Sequence, residues 1–194
     1  MKHPTLLRAL AAGFAASVIP AAALAHPGHG ALNLVAGFAH PFGGADHILA
    51  MFAVGLWAAL RGERAPFAWP AAFVAAMTGG FALGQIAPAA VSIEPAILAS
   101  VVILGVLTAA QARLPLLAGA ALVGAFGAAH GYAHGIEAPG ADAGFPLGFA
   151  LATALLHLAG LASGLLLQRF GRPELVRLLG AGAAAGGLLL AVGG

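Results

Sequence analysis

The sequence predicts an all-α, polytopic membrane protein, a bundle of six transmembrane helices that follows a cleaved signal peptide. Of its 194 residues 61% are hydrophobic and only 7% charged, where a soluble domain carries roughly 25% charged residues. Mean hydropathy is +1.00. The few cations fall into alternate breaks between apolar runs, as they do when a chain crosses a bilayer repeatedly. The 29 glycines supply little bulk for an aqueous core, but small residues let helices approach closely in lipid.

The first 25 residues carry Lys2 and Arg8, a short apolar run, and the small-x-small sequence Ala23 to Ala25, the pattern of a signal-peptidase site. Residues 1–25 are therefore expected to be removed, and residues 26–194 to form the transmembrane domain. The apolar run is short for a span, which needs roughly 20 residues. Cleavage makes His26 the mature N-terminus. A free amine, His26 and His29 then lie within four residues, a capture site for a divalent transition metal.

Six spans follow, at about 31–60, 67–86, 95–112, 114–135, 146–168 and 175–193, divided by breaks rich in Pro, Gly and charge. With His26 outside the cytoplasm, the first, third and fifth connections hold Arg61, Arg64, Arg113, Arg169, Arg172 and Arg177, while the second and fourth hold only Glu94, Glu137 and Asp142. Cationic loops stay cytoplasmic. Both mature termini are thus expected in the periplasm, and the protein in the inner membrane of a bacterium. Trp57 and Trp69 flank the first cytoplasmic connection, where indole rings favour the headgroup region. Gly127, Gly131 and Gly135 form a small-xxx-small face for close helix contact.

Within the first span, "HPFGGADH" places His40, Asp46 and His47 around Pro41 and the Gly43-Gly44 pair. An Asp at a helix centre in the membrane costs about 2.5 to 3.5 kcal/mol on insertion scales. Proline and adjacent glycines weaken a helix, so a broken or kinked helix is expected here, its irregular backbone facing a cavity. On the fourth span His130 and His134, at i and i+4, share one face, with Glu137 one turn beyond. On the fifth, His157 is the sole ionisable residue of a long apolar stretch and is expected to face the others. Neutral imidazole suits Zn, Cu, Fe and Ni; Ca and Mg want oxygen cages. No Cys is present, which removes disulfides and thiolate ligands. Met51 and Met77 read as packing. Gln85, Gln111 and Tyr132 read either as partners of the site or as interhelical hydrogen bonds.

These residues resemble the HupE/UreJ family of nickel/cobalt permeases over nearly the whole mature chain. The HPxxGxDH motif is met by His40, Pro41, Gly44, Asp46 and His47, and a second motif by His130, Gly131, His134, Gly135 and Glu137. The resemblance implies uptake of Ni²⁺, or in some members Co²⁺, across the inner membrane to supply enzymes such as hydrogenase or urease. The larger nickel/cobalt transporter family is similar but has four residues before its Asp-His. Five separate His40 from Asp46 here, so ligand geometry is not carried over from it.

The leading reading is a secondary permease. His26, His29 and Glu137 collect the ion outside, and His40, Asp46, His47, His130, His134 and His157 pass it through the bundle. The ion is cargo, and no resident cofactor is expected. No phosphate-cradling loop is present, so ATP hydrolysis by this chain is not expected. Eight Lys and Arg without a dense run give no nucleic-acid signal. A membrane haem electron carrier, with axial His from two helices, is the alternative; it leaves Asp46 without a role. A metal-dependent membrane enzyme ranks last, since no Ser, Cys or acid/base pair accompanies the site in the sequence. The Gly-rich faces of the fourth and sixth spans leave packing within one bundle and packing in a homo-oligomer both open.

Overall fold

The computed structural model describes residues 32–88 and 92–193, and among these every regular element is a helix. The signal-peptide reading and the His26/His29 tail lie outside the described residues. In order the elements are α1 (Leu34–Ala39), a 3₁₀ turn (His40–Gly43), α2 (Ala45–Arg61), α3 (Ala65–Ile86), α4 (Glu94–Ala109), α5 (Leu116–Glu137), α6 (Gly144–Arg169) and α7 (Pro173–Gly193).

Four of these, α3, α5, α6 and α7, are long and apolar enough to cross a membrane. The expected first span is a pair instead: α1 with its turn and α2 meet at 88°. Pro41 and Gly43-Gly44 sit at that break, where the sequence places it. The expected third span is a 16-residue apolar helix, α4, about 24 Å long at 1.5 Å per residue.

Helix starts follow local chemistry. Asn33 Oδ1 accepts from the Val35 and Ala36 amides at 3.1 Å, capping α1. Pro66, Pro95 and Pro173 stand in the first turns of α3, α4 and α7, where the missing N–H costs nothing. The end of α6 is a Schellman turn: Arg172 N donates to Leu167 O at 2.8 Å and Gly171 N to Gln168 O at 3.0 Å, with Gly171 at φ 66°. The end of α4 repeats the motif, with Gln111 at φ 52° in the glycine position.

Three helix pairs dominate the packing: α3 with α5, α2 with α6, and α4 with α7. Each is a glycine contact. A Cβ at Gly127, Gly131 or Gly135 would fall on the carbonyl of Phe73, Met77 or Phe81, and one at Gly80 or Gly84 on that of Ala128 or Tyr132. The two backbones touch, as the small-xxx-small face predicts. Gly55 and Gly160 make the same approach between α2 and α6, and Gly105 and Gly180 between α4 and α7.

The registers give direction. Phe73, Met77 and Phe81 meet Gly127, Gly131 and Gly135 in rising order, so α3 and α5 run parallel. Phe52 meets Gly160 and Leu56 meets Gly164, so α2 and α6 are parallel too. Gly105 meets Gly180 and Ala184 while Val101 meets Gly187, so α4 and α7 are antiparallel. Helices that alternate in direction along the chain produce this set of relations. In consequence Arg61, Arg64, Arg113, Arg169, Arg172 and Arg177 all lie at one end of the bundle.

At that arginine-bearing end the tryptophans depart from expectation. Trp57 and Trp69 are fully buried with ring centroids 4.2 Å apart, turned into the bundle and not outward. Their N–H groups found carbonyls inside the bundle: Trp57 Nε1 donates to Ala112 O at 2.8 Å and Trp69 Nε1 to Leu116 O at 2.9 Å. Arg61 Nε donates to Leu114 O at 3.0 Å. Three side chains thus staple the α4–α5 connection and the first residue of α5. Met51 and Met77 are buried core residues beside them, while Phe67, Ile86, Leu117 and Val192 stand exposed, the apolar exterior that lipid would cover.

Candidate metal site

Opposite the arginines, the break between α1 and α2 opens onto the last turns of α5. Gly44 ends the 3₁₀ turn and starts α2, placing Asp46 in the first turn, where a carboxylate complements the helix dipole. Glycine leaves room there for the two side chains: a Cβ at Gly44 would stand 2.6 Å from Asp46 Oδ1 and 2.9 Å from His47 Nδ1. Asp46 Oδ2 lies 2.8 Å from His47 Nδ1. A carboxylate on one ring nitrogen orients the imidazole and leaves the other nitrogen to face a ligand.

That other nitrogen, His47 Nε2, abuts His134 Nε2. On its far side His134 Nδ1 lies 3.0 Å from Glu137 Oε2 and 2.9 Å from His40 Nε2, and His40 Nε2 is 3.8 Å from Glu137 Oε2. Two overlapping donor groups result. His47, His130 and His134 form an inner, buried one; His40, His134 and Glu137 form an outer one in which His40 and Glu137 are exposed. Within each group the donor atoms lie within 4.8 Å of one another, close enough that each group could hold a metal ion.

His130 is fully buried. Its Nε2 lies 3.0 Å from Ser100 Oγ, whose own hydroxyl donates to Ile97 O at 2.6 Å. With that hydroxyl hydrogen committed, Ser100 accepts from His130 Nε2–H, and His130 Nδ1 keeps its lone pair. It has no hydrogen-bond partner among the described residues. A serine thus does accompany the site, correcting the expectation that none would. No motif marks Ser100, and a hydroxyl in an apolar helix ordinarily bonds its own backbone. Glu94 is a second residue the sequence reading left out. It lines, with His40, Asp46, His47, His134 and Glu137, an open cavity of about 760 Å³.

His157 stands apart from both groups. The Phe73 ring contacts it at 5.0 Å and contacts His130 at 5.6 Å, and neither His157 nitrogen has a hydrogen-bond partner among the described residues. The register of α6 turns it toward Phe73 and not into the cluster. Gln85 and Tyr132 are interhelical: Gln85 Nε2 donates to Gly135 O at 2.9 Å and Tyr132 Oη to Ala87 O at 2.9 Å, holding the ends of α3 and α5 together below Glu137.

Long apolar helices around a buried cluster of imidazoles, with an exposed carboxylate at its edge, define a polytopic membrane protein with a transition-metal type of donor set. The sequence profile of the HupE / UreJ protein family matches residues 14–190. Protein HupE of Rhizobium leguminosarum bv. viciae is 42% identical over 183 residues, covering 92% of this chain and 95% of the relative. The chain belongs to the HupE/UreJ family. No solved structure matches it.

Proposed function

We propose that the protein is a secondary permease that takes up a divalent transition-metal ion, Ni²⁺ or Co²⁺, across the inner membrane of a bacterium, supplying metalloenzymes such as hydrogenase or urease. One observation carries the reading: two donor groups, one exposed and one buried, share His134 at the foot of an open cavity. Membership of the HupE/UreJ family supports it. Stepwise sites of this kind let an ion enter without being trapped, because no single cage holds it with full coordination.

Six crossings, made by the bent pair, α3, α4, α5, α6 and α7, account for the alternating directions of the helices. Arginines held inside put the cavity on the periplasmic face, with both mature termini there after removal of residues 1–25. His26 and His29 would collect the ion, and His40 with Glu137 would receive it. His47, His130 and His134, oriented by Asp46 and Ser100, would take it inward, and His157 offers unpartnered nitrogens beyond Phe73.

The test is ion flux into proteoliposomes, with Ni²⁺, Co²⁺, Zn²⁺ and Mn²⁺ in competition. Ni²⁺ or Co²⁺ is expected to enter and to be displaced least by Mn²⁺. His47→Ala and His134→Ala are each expected to abolish nickel accumulation in cells at unchanged membrane abundance. Undiminished uptake by both variants overturns the assignment.

A further inference from the structure

His134 presents a different ring nitrogen to each donor group. Its Nδ1 faces His40 Nε2 at 2.9 Å and Glu137 Oε2 at 3.0 Å, while its Nε2 faces His47 Nε2. A neutral imidazole has one lone pair and one N–H; when one nitrogen is a ligand the other carries hydrogen. An ion held through Nδ1 therefore directs an N–H into the inner group. An ion held through Nε2 directs one into the outer group. The positive end of that dipole, and the hydrogen itself, occupy the place a cation would take.

Resting on the permease reading above, we infer that the outer and inner groups are mutually exclusive: each chain holds one ion at His134, on one side of the ring or the other, never on both. Double occupancy would require an imidazolate bridge, the ring stripped of its one N–H hydrogen, with two divalent ions facing each other across a single five-membered ring. Their repulsion is four times that of unit charges at the same distance. The ion's inward step then amounts to a change of nitrogen on one side chain. His134 keeps one hydrogen throughout: the proton on Nε2 is released to water of the open cavity, and water supplies the one taken up at Nδ1. Glu137 Oε2, 3.0 Å from Nδ1, accepts a hydrogen bond from that N–H when the ion has moved in.

Counting ions tests the inference. Full-length protein in detergent is dialysed against saturating Ni²⁺ and the bound metal is measured for four forms: unmodified, outer-disabled (His40→Ala with Glu137→Gln), inner-disabled (His47→Ala with His130→Ala), and all four substitutions together. Exclusive groups leave the count unchanged in either disabled form and lower it by one in the fourfold variant; any ion taken by His26 and His29 is common to all four. A loss of one in each disabled form and two in the fourfold variant overturns exclusivity while leaving the ion site intact. No loss in the fourfold variant overturns the permease site itself. Unmodified protein saturated with Co²⁺ gives a check independent of folding in the variants. Uncoupled high-spin signals are expected in electron paramagnetic resonance, and a magnetically coupled cobalt pair overturns the inference.

Discussion

Asp46 shows how much a single side chain contributes without being a donor of either group. Its carboxylate sits 2.8 Å from His47 Nδ1, so His47 Nε2 is left to face His134 and whatever cation comes between them. Removing such an outer partner of a metal-ligating histidine costs about 10- to 100-fold in affinity or activity. Asp46→Asn, which keeps the shape and loses the charge, is accordingly expected to lower nickel uptake by about that factor, measured in cells at matched membrane abundance. An unchanged rate would show that His47 needs no anion to hold its orientation. At this scale the sequence was most readable where spacing implies proximity. His130, His134 and Glu137 follow one helix face, and Pro41 with two glycines marks the break that brings His40 and His47 to opposite sides of His134. Ser100 and Glu94 carry no such spacing, and a lone histidine such as His157 has no neighbour to reveal which way its helix turns it.

Among the helices, the α3–α5 contact is set by atoms that glycine lacks. A methyl at Gly131 would land on the Met77 carbonyl, whereas one at Gly79, on α3, would meet nothing within 4 Å. Overpacking costs about 1–3 kcal/mol, and Ala exceeds Gly in helix propensity by about 0.8–1 kcal/mol. Gly131→Ala is therefore expected to lower the thermal midpoint in detergent and Gly79→Ala to hold or raise it; equal effects would remove close approach as the cause. The turn after α4 makes a second case. Gln111 occupies a left-handed conformation at φ 52° that costs an L-residue about 1–2 kcal/mol, so Gln111→Gly should raise the same midpoint, and a fall would show that the glutamine side chain repays the strain. The broken first helix was readable from Pro and Gly, since both act on the chain locally. The burial of Trp57 and Trp69 was not. Composition places indoles at an interface, but the carbonyls of Ala112 and Leu116 that bind their N–H groups come from a connection more than forty residues away.

For the whole molecule, polarity of charge is the organising fact: every described arginine lies at one end and the histidine–carboxylate cluster at the other. Because the chain has no cysteine, single introduced thiols report sidedness cleanly. Ala143→Cys, in the connection before α6, should react with a membrane-impermeant maleimide on spheroplasts, and Glu174→Cys, at the start of α7, only after permeabilisation; the reverse pattern would invert the proposed orientation. Apolar length and arginine placement together made this arrangement readable before any coordinates, whereas the pairing of parallel helices was not, because glycines mark a contact face without saying which helix fills it. The stapled connection at the arginine end gives the arrangement a working consequence. Three hydrogen bonds at about 0.5–1.5 kcal/mol each and an aromatic pair at about 0.5–1.5 kcal/mol amount to roughly 2–6 kcal/mol. Opening of this end of the bundle therefore requires two indoles and a guanidinium to release the same short strip of backbone together.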